Sequence, residues 1–119
     1  MYEYKARLVR VIDGGTIDAD IDIGFQIHIG QRIKLFGVDA PDTRSQDHVE
    51  RDKGLASKNR LIEILPKEVV VRTMLNKRGK VGRILGTVLV REEHGELTNI
   101  NDLIIKEGFA TRYPTNEDK

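Results

Sequence analysis

The stretch Ile17-Asp18-Ala19-Asp20-Ile21-Asp22-Ile23 alternates apolar and acidic residues without a fault. A period of two marks a strand with one face in a core and the other in water. Ile17, Ala19, Ile21 and Ile23 are therefore expected inside, and Asp18, Asp20 and Asp22 outside. Upstream, Tyr4, Ala6 and Leu8 alternate with Lys5 and Arg7 until the apolar parity slips to Val9 and Val11, as a β-bulge would make it do. Downstream, Ile27, Ile29, Ile33 and Leu35 form a third run. Asp13-Gly14-Gly15 is a strong hairpin signal between the first two runs, easier to form with two glycines than with most pairs, and Gly24-Phe25 is a weaker one between the second and third. An antiparallel meander is expected.

Pro41 has no donor for a ladder and ends the third strand. A polar loop is expected from Asp42 to about Lys53. Leu55, Ala56, Leu61, Ile62 and Leu65 then fall near helical spacing and Pro66 closes the segment, which predicts a helix of about three turns. Val69-Val70-Val71 and Ile84 to Val90 supply two further strands joined by a basic loop. Asn99 or Asn101 caps a short second helix carrying Leu103 and Ile104, with Gly108 where a helix end favours a left-handed residue. The polar tail after Tyr113 is expected to fray. Three strands, a helix, two strands and a helix make a mainly β chain with flanking helices, and that order most resembles an OB-fold, a five-stranded barrel whose face and loops often bind nucleic acids or sugars. With 119 residues, the chain is expected to form one domain over 1–119.

Hydrophobic residues make up 39% and charged residues 33%, which excludes intrinsic disorder and predicts one real core. No apolar run approaches the ~20 residues needed to cross a bilayer, and Met1-Tyr2-Glu3-Tyr4-Lys5 lacks the regions of a signal peptide. The expected location is cytoplasmic, with no membrane partner, although the mature form of a secreted protein would look the same. There is no cysteine, so disulfides, thiolate metal sites and cysteine nucleophiles are excluded. The formal net charge is +1, but its distribution is uneven: residues 1–50 hold six basic and nine acidic side chains, and 51–119 hold fourteen and ten. Arg72, Lys77, Arg78, Lys80 and Arg83 occur with no acidic residue among them. Such a cluster attracts phosphate, although taken alone a charge run is more often a solvated loop.

The phosphate-cradling GxxxxGK[ST], the dinucleotide GxGxxG and the zinc-binding HExxH are absent, and no serine stands in a nucleophile elbow. His28, His48 and His94 are isolated and read as surface or strand residues. What remains is four segments in order: Val11-Ile12-Asp13-Gly14-Gly15-Thr16, then Lys34-Leu35-Phe36-Gly37-Val38-Asp39-Ala40-Pro41-Asp42, then Gly82-Arg83, then Leu103-Ile104-Ile105-Lys106-Glu107-Gly108-Phe109-Ala110. Together they resemble the staphylococcal-nuclease-like (thermonuclease) family over about residues 5–113. The resemblance implies an OB barrel and calcium-dependent hydrolysis of DNA or RNA by a monomer.

That chemistry needs carboxylates for a hard cation, a carboxylate to orient water, and guanidinium groups to clamp phosphate. By position, the resemblance implies that Asp39 and the Ala40 carbonyl hold calcium and that Arg83 clamps phosphate. Three positions depart. Gly15 replaces a second calcium-binding aspartate, Lys34 an arginine, and Asp42 the catalytic glutamate. Lysine keeps the charge but loses the bidentate fork, and a carboxylate displaced by on the order of 1 Å costs about a hundredfold in rate. Calcium, which takes 6–8 oxygens, is left a poor shell. Asp18, Asp20 and Asp22 have the wrong parity to help, so Asp13 is the one local substitute. Lys77, Arg78, Lys80 and Tyr113 are the expected nucleic-acid contacts. Two readings follow: a nuclease with weakened hydrolysis, or an inactive module that binds nucleic acid or protein. Without its neighbours, Asp39-Ala40-Pro41-Asp42 would read as an ordinary turn, and the six aromatic residues as mostly core.

Overall fold

The computed structural model describes residues 2–74 and 83–112, with Arg83 known by its backbone alone. Three long strands open the chain: β1 (Glu3–Asp13), β2 (Thr16–Asp22) and β3 (His28–Leu35), paired as the expected antiparallel meander. After a short β4 (Val38–Asp39) and the helix α1 (His48–Ile64) come β5 (Glu68–Thr73) and β6 (Arg83–Arg91). β5 joins the free edge of β1, β6 joins β5, and β6 then pairs in parallel with β3. The ladder β3-β2-β1-β5-β6 thus returns to β3 and closes a five-stranded barrel, which removes the exposed edges of an open sheet. Ile17, Ala19 and Ile21 from β2, Ile33 and Leu35 from β3, and Val69 and Val71 from β5 fill the interior. Period two holds where the barrel is closed and fails beyond it: Ile23, Ile27 and Ile29 are exposed.

Local departures have physical causes. The register of β1 against β2 shifts between Leu8 and Arg10; Val9 is the extra residue and is 56% exposed, so the parity passes from Ala6 to Val11 without Val9 entering the core. β3 ends at Leu35, before Pro41, because the chain turns at Gly37 with φ +77, a region that favours glycine. The turn after β2 uses three consecutive positive-φ residues, Gly24, Phe25 and Gln26, and leaves Phe25 96% exposed. Tyr2 is also exposed, and Tyr4, Phe36 and Phe109 are only half-buried, so the expectation that the aromatics mostly fill the core is overturned among the described residues: the small barrel is filled by aliphatic side chains.

The largest correction concerns α1. It begins at His48, within the segment read as a polar loop, and runs 17 residues. Asp47 caps it through Val49 N at 3.0 Å, and Glu50 lies in its first turn, where a carboxylate complements the helix dipole. Its buried residues are Gly54, Ser57 and Leu61, while Leu55 and Ile62 are exposed. The buried stripe keeps helical spacing but is built partly of small residues, so a hydrophobicity pattern does not show it. The close approach is between backbones: a Cβ on Gly54 would lie 2.8 Å from the Asp42 carbonyl carbon and oxygen and from the Pro41 oxygen.

Beyond β6, β7 (Leu97–Asn99) leads into α2 (Ile100–Lys106), capped by Asn99 and followed by Gly108 with φ +86. Asn101, the other candidate cap, is buried and ties helix to barrel. It accepts from Val88 N at 3.0 Å and donates to the Phe36 and Gly86 carbonyls at 3.0 and 3.1 Å. β8 (Thr111–Arg112) pairs with β4. No described helix is long and apolar enough to cross a membrane. The tail after Tyr113 lies outside the described residues.

Candidate phosphate and nucleic-acid site

The β1–β2 turn is held by Asp13, whose Oδ1 accepts from Gly15 N at 2.8 Å. Neither Gly14 nor Gly15 has a positive φ, so the turn does not use the conformational freedom that made a pair of glycines favourable there. The two residues differ in what surrounds them. A Cβ on Gly14 would lie 1.9 Å from Ser57 Oγ and 2.7 Å from Ser57 Cβ, so only glycine fits beneath α1. A Cβ on Gly15 would meet Val38 Cγ1 at 3.5 Å, Lys34 Nζ at 3.6 Å and Ala40 Cβ at 3.7 Å, all ordinary contacts. Gly15 is therefore required neither by conformation nor by space.

Those distances also bring Lys34 and Ala40 to the turn. Lys34 is half-buried, and its ammonium donates to the carbonyls of Val38 at 2.5 Å and Leu35 at 3.2 Å. A cation thus lies beside the position where the family pattern has a carboxylate. Asp39 is exposed on β4, its carbonyl accepting from Thr111 Oγ1 at 3.4 Å. Asp42 is exposed and its Oδ1 accepts from Arg44 N at 2.8 Å, an Asx turn that fixes the loop packed on Gly54. The backbone of Arg83 opens β6 in parallel register with Arg32, two residues before Lys34. Lys77, Arg78, Lys80 and Tyr113 lie outside the described residues.

Calcium asks for several hard oxygens on one centre. Among the described residues no three Asp, Glu or His side chains converge as metal ligands. Asp13 and Asp42 each commit one oxygen to their own turns, and position 15 supplies none. The described residues do not fit a calcium shell. A cleft of ≈ 680 Å³ does open beside Asp39 and Ala40, between the first turns of α1 and the 108–111 segment. Its charged lining is Asp39, Asp47, Glu50 and Lys53, an acidic balance that repels phosphate.

The structure adds residues that the motifs do not single out. Asp18 faces outward as expected and is gripped from both sides: Arg32 Nε donates to Oδ1 at 2.8 Å, Arg32 Nη2 to Oδ2 at 3.1 Å, and Arg10 Nε to Oδ2 at 3.0 Å. The hydrogen bonds from Arg32, helped by its charge and by Arg10, hold the Asp18 carboxyl below the usual carboxylate range despite partial burial. A depressed folded-state value stabilises the fold above the unfolded value of about 3.9, and that part is lost as pH falls through the folded value. Asp18→Asn is expected to be less stable than the unmodified chain at pH 7. The gap in denaturant midpoint should narrow as pH falls below about 3.9 and close only below the folded value; a gap that does not narrow as pH falls would rule out ionisation as its source.

Comparison with known proteins accords with this geometry. Residues 32–119 match the sequence profile described as staphylococcal nuclease homologue. The chain is 27% identical over 115 residues to a micrococcal nuclease of Shigella flexneri, covering 93% of this chain and 59% of that relative. The matched residues carry the second half of β3 from Arg32, the 34–42 segment, α1 and the closing strand β6; the chain belongs to the staphylococcal nuclease homologue family.

Proposed function

We propose that the chain engages nucleic acid through phosphate contacts, and that calcium-dependent phosphodiester hydrolysis at this site is weakened by Gly15, Lys34 and Asp42. Lys34 and Arg83 supply positive charge to the phosphate, and Asp42 is the carboxylate available to orient water. Asp39 and the Ala40 carbonyl are what remains of a cation shell. One observation carries this reading: position 15 has room for a Cβ but presents no side chain, and the nearest charged atom is the Lys34 ammonium, 3.6 Å from where that Cβ would be. The substrate class follows from the named relative and the retained barrel, not from a cleft, since the one beside Asp39 and Ala40 is acidic.

Release of acid-soluble nucleotides from single-stranded DNA, with and without calcium, tests it alongside oligonucleotide binding at low salt. The unmodified chain is expected to bind and to release little. Gly15→Asp is expected to raise calcium-dependent release by about tenfold, equivalent to about 1.4 kcal/mol of barrier. Hydrolysis by the unmodified chain that is vigorous and indifferent to Gly15→Asp would refute the weakened site. Absence of binding at any salt would refute the nucleic-acid reading.

A further inference from the structure

The meander lines up Arg10 on β1, Asp18 on β2 and Arg32 on β3 in one cross-strand row, and barrel closure adds the Arg83 position on β6. We infer that the Arg10–Asp18–Arg32 row on the outer face of the barrel is a subsite for the phosphodiester backbone of single-stranded nucleic acid, adjoining the Arg83 position. This rests on the proposed engagement of nucleic acid and names where the strand runs beside the reacting phosphate.

Three features favour a phosphate ligand over a purely structural bridge. First, two guanidinium groups share one carboxylate, so the row keeps a net positive charge before Arg83 is counted. Second, the carboxylate holds Arg10 only through Nε, and Arg32 through Nε and one terminal nitrogen. Among the described residues the remaining terminal nitrogens of both have no hydrogen-bond partner, and side chains of Arg10 and Arg32 are 65% and 44% exposed against 17% for Asp18. Asp18 thus orders the two forks before any ligand arrives, which lowers the entropy lost on binding. Third, the charge changes sign along the barrel. The next row on this face is Glu68, Arg7, Asp20 and Gly30, which is net negative. A cleft beyond it, with Lys5, Arg7 and Lys67 against Asp20, Asp22 and Glu68, is balanced. The row on the other side, Asp13, Thr16 and Lys34, is balanced, and the ≈ 680 Å³ cleft is acidic, so the row next to Arg83 favours a polyanion more than these neighbours do.

Each phosphate neutralised releases counterions, so the salt dependence of binding counts the contacts. Fluorescence anisotropy of a labelled single-stranded DNA oligonucleotide between about 50 and 200 mM salt would compare the full chain with Arg10→Gln, Arg32→Gln, the double variant and Arg7→Gln. Each single change in the row is expected to weaken binding about 3–10-fold at the lowest salt and to reduce the slope of log K against log salt by about 1, the double variant by about 2. Arg7→Gln should leave the slope unchanged. A merely structural role would lower the melting temperature without moving the slope, so both are read on every variant. Binding with wild-type slopes for Arg10→Gln and Arg32→Gln overturns this inference alone. No binding by the unmodified chain overturns it together with the proposed function.

Discussion

Gly14→Ala is expected to destabilise the protein by on the order of 3 kcal/mol, lowering its melting temperature by roughly 10 °C. The added Cβ would sit 1.9 Å from Ser57 Oγ and 2.7 Å from Ser57 Cβ, and Ser57 is 1% exposed on a helix pinned by Leu61. Rotating the hydroxyl removes only the first clash, because the Ser57 Cβ is fixed by the helix backbone. The turn or the helix must move. A rescue identifies the cause: Ser57→Gly in the Gly14→Ala background should recover much of the loss, since the two added carbons compete for one space. Strict additivity of the two changes would show that contact with Ser57 is not the source. Gly15, the next residue, should behave oppositely. Its Cβ has 3.5 Å or more to every neighbour, so Gly15→Asp is expected to leave the melting temperature nearly unchanged, and its effect on hydrolysis is then read in an intact fold.

The second large effect is one of sign. Gly54 lies inside α1, where replacing glycine by alanine normally stabilises a helix by about 1 kcal/mol. Here the new Cβ would stand 2.8 Å from three backbone atoms of Pro41 and Asp42, and backbone cannot rotate away as a side chain does. Overpacking costs on the order of 3 kcal/mol, so the net expectation for Gly54→Ala is a loss of about 2 kcal/mol in denaturant unfolding. Because the displaced atoms belong to the loop that carries Asp42, oligonucleotide hydrolysis should fall as well, by about the hundredfold that a misplacement of ~1 Å costs, in whatever background gives measurable turnover. A gain in stability would mean that α1 does not press on that loop.

The strands were legible because a barrel strand meets two different media. Ile17, Ala19 and Ile21 must face apolar interior and Asp18, Asp20 and Asp22 water, and that constraint is written residue by residue at period two. Where the medium stops differing, the pattern stops informing: Ile23, Ile27 and Ile29 alternate as well as their neighbours and are exposed beyond the closed barrel. The start and the buried face of the helix, though not its existence or its end before Pro66, differ from expectation for a related reason. α1 packs through Gly54 and Ser57 as well as Leu61, a contact that works by closeness of backbones, and hydrophobicity does not measure closeness. The start of α1 was signalled by Asp47 and Glu50 at capping positions, but polar residues serve loops and helix starts alike.

The candidate site divides in the same way. Motif order was enough to place Lys34, Asp39, Ala40, Asp42 and Arg83 in one family pattern, and to mark Gly15 as a missing carboxylate. It did not explain the two glycines of the turn. Conformation, the reason that the sequence suggested, is wrong for both, since neither has a positive φ; Gly14 is fixed by Ser57 from a helix 43 residues away in the chain, and Gly15 by nothing nearby. Nor did it mark Arg10 and Arg32, which are ordinary exposed arginines until the register of the β1–β2–β3 meander sets them on either side of Asp18.

What the sequence determined alone is the alternation of β2 within the closed barrel, Ile17, Ala19 and Ile21 inward and the aspartates outward, because there each residue meets either core or water and the choice is made locally. What only the tertiary structure decided is which distant residues touch: α1 on the Gly14 turn, Lys34 beside Gly15, and three strands bringing Arg10, Asp18 and Arg32 into one row. Those contacts arise from register and from the parallel return of β6 to β3, and strand register is a property of pairs of segments, not of either one.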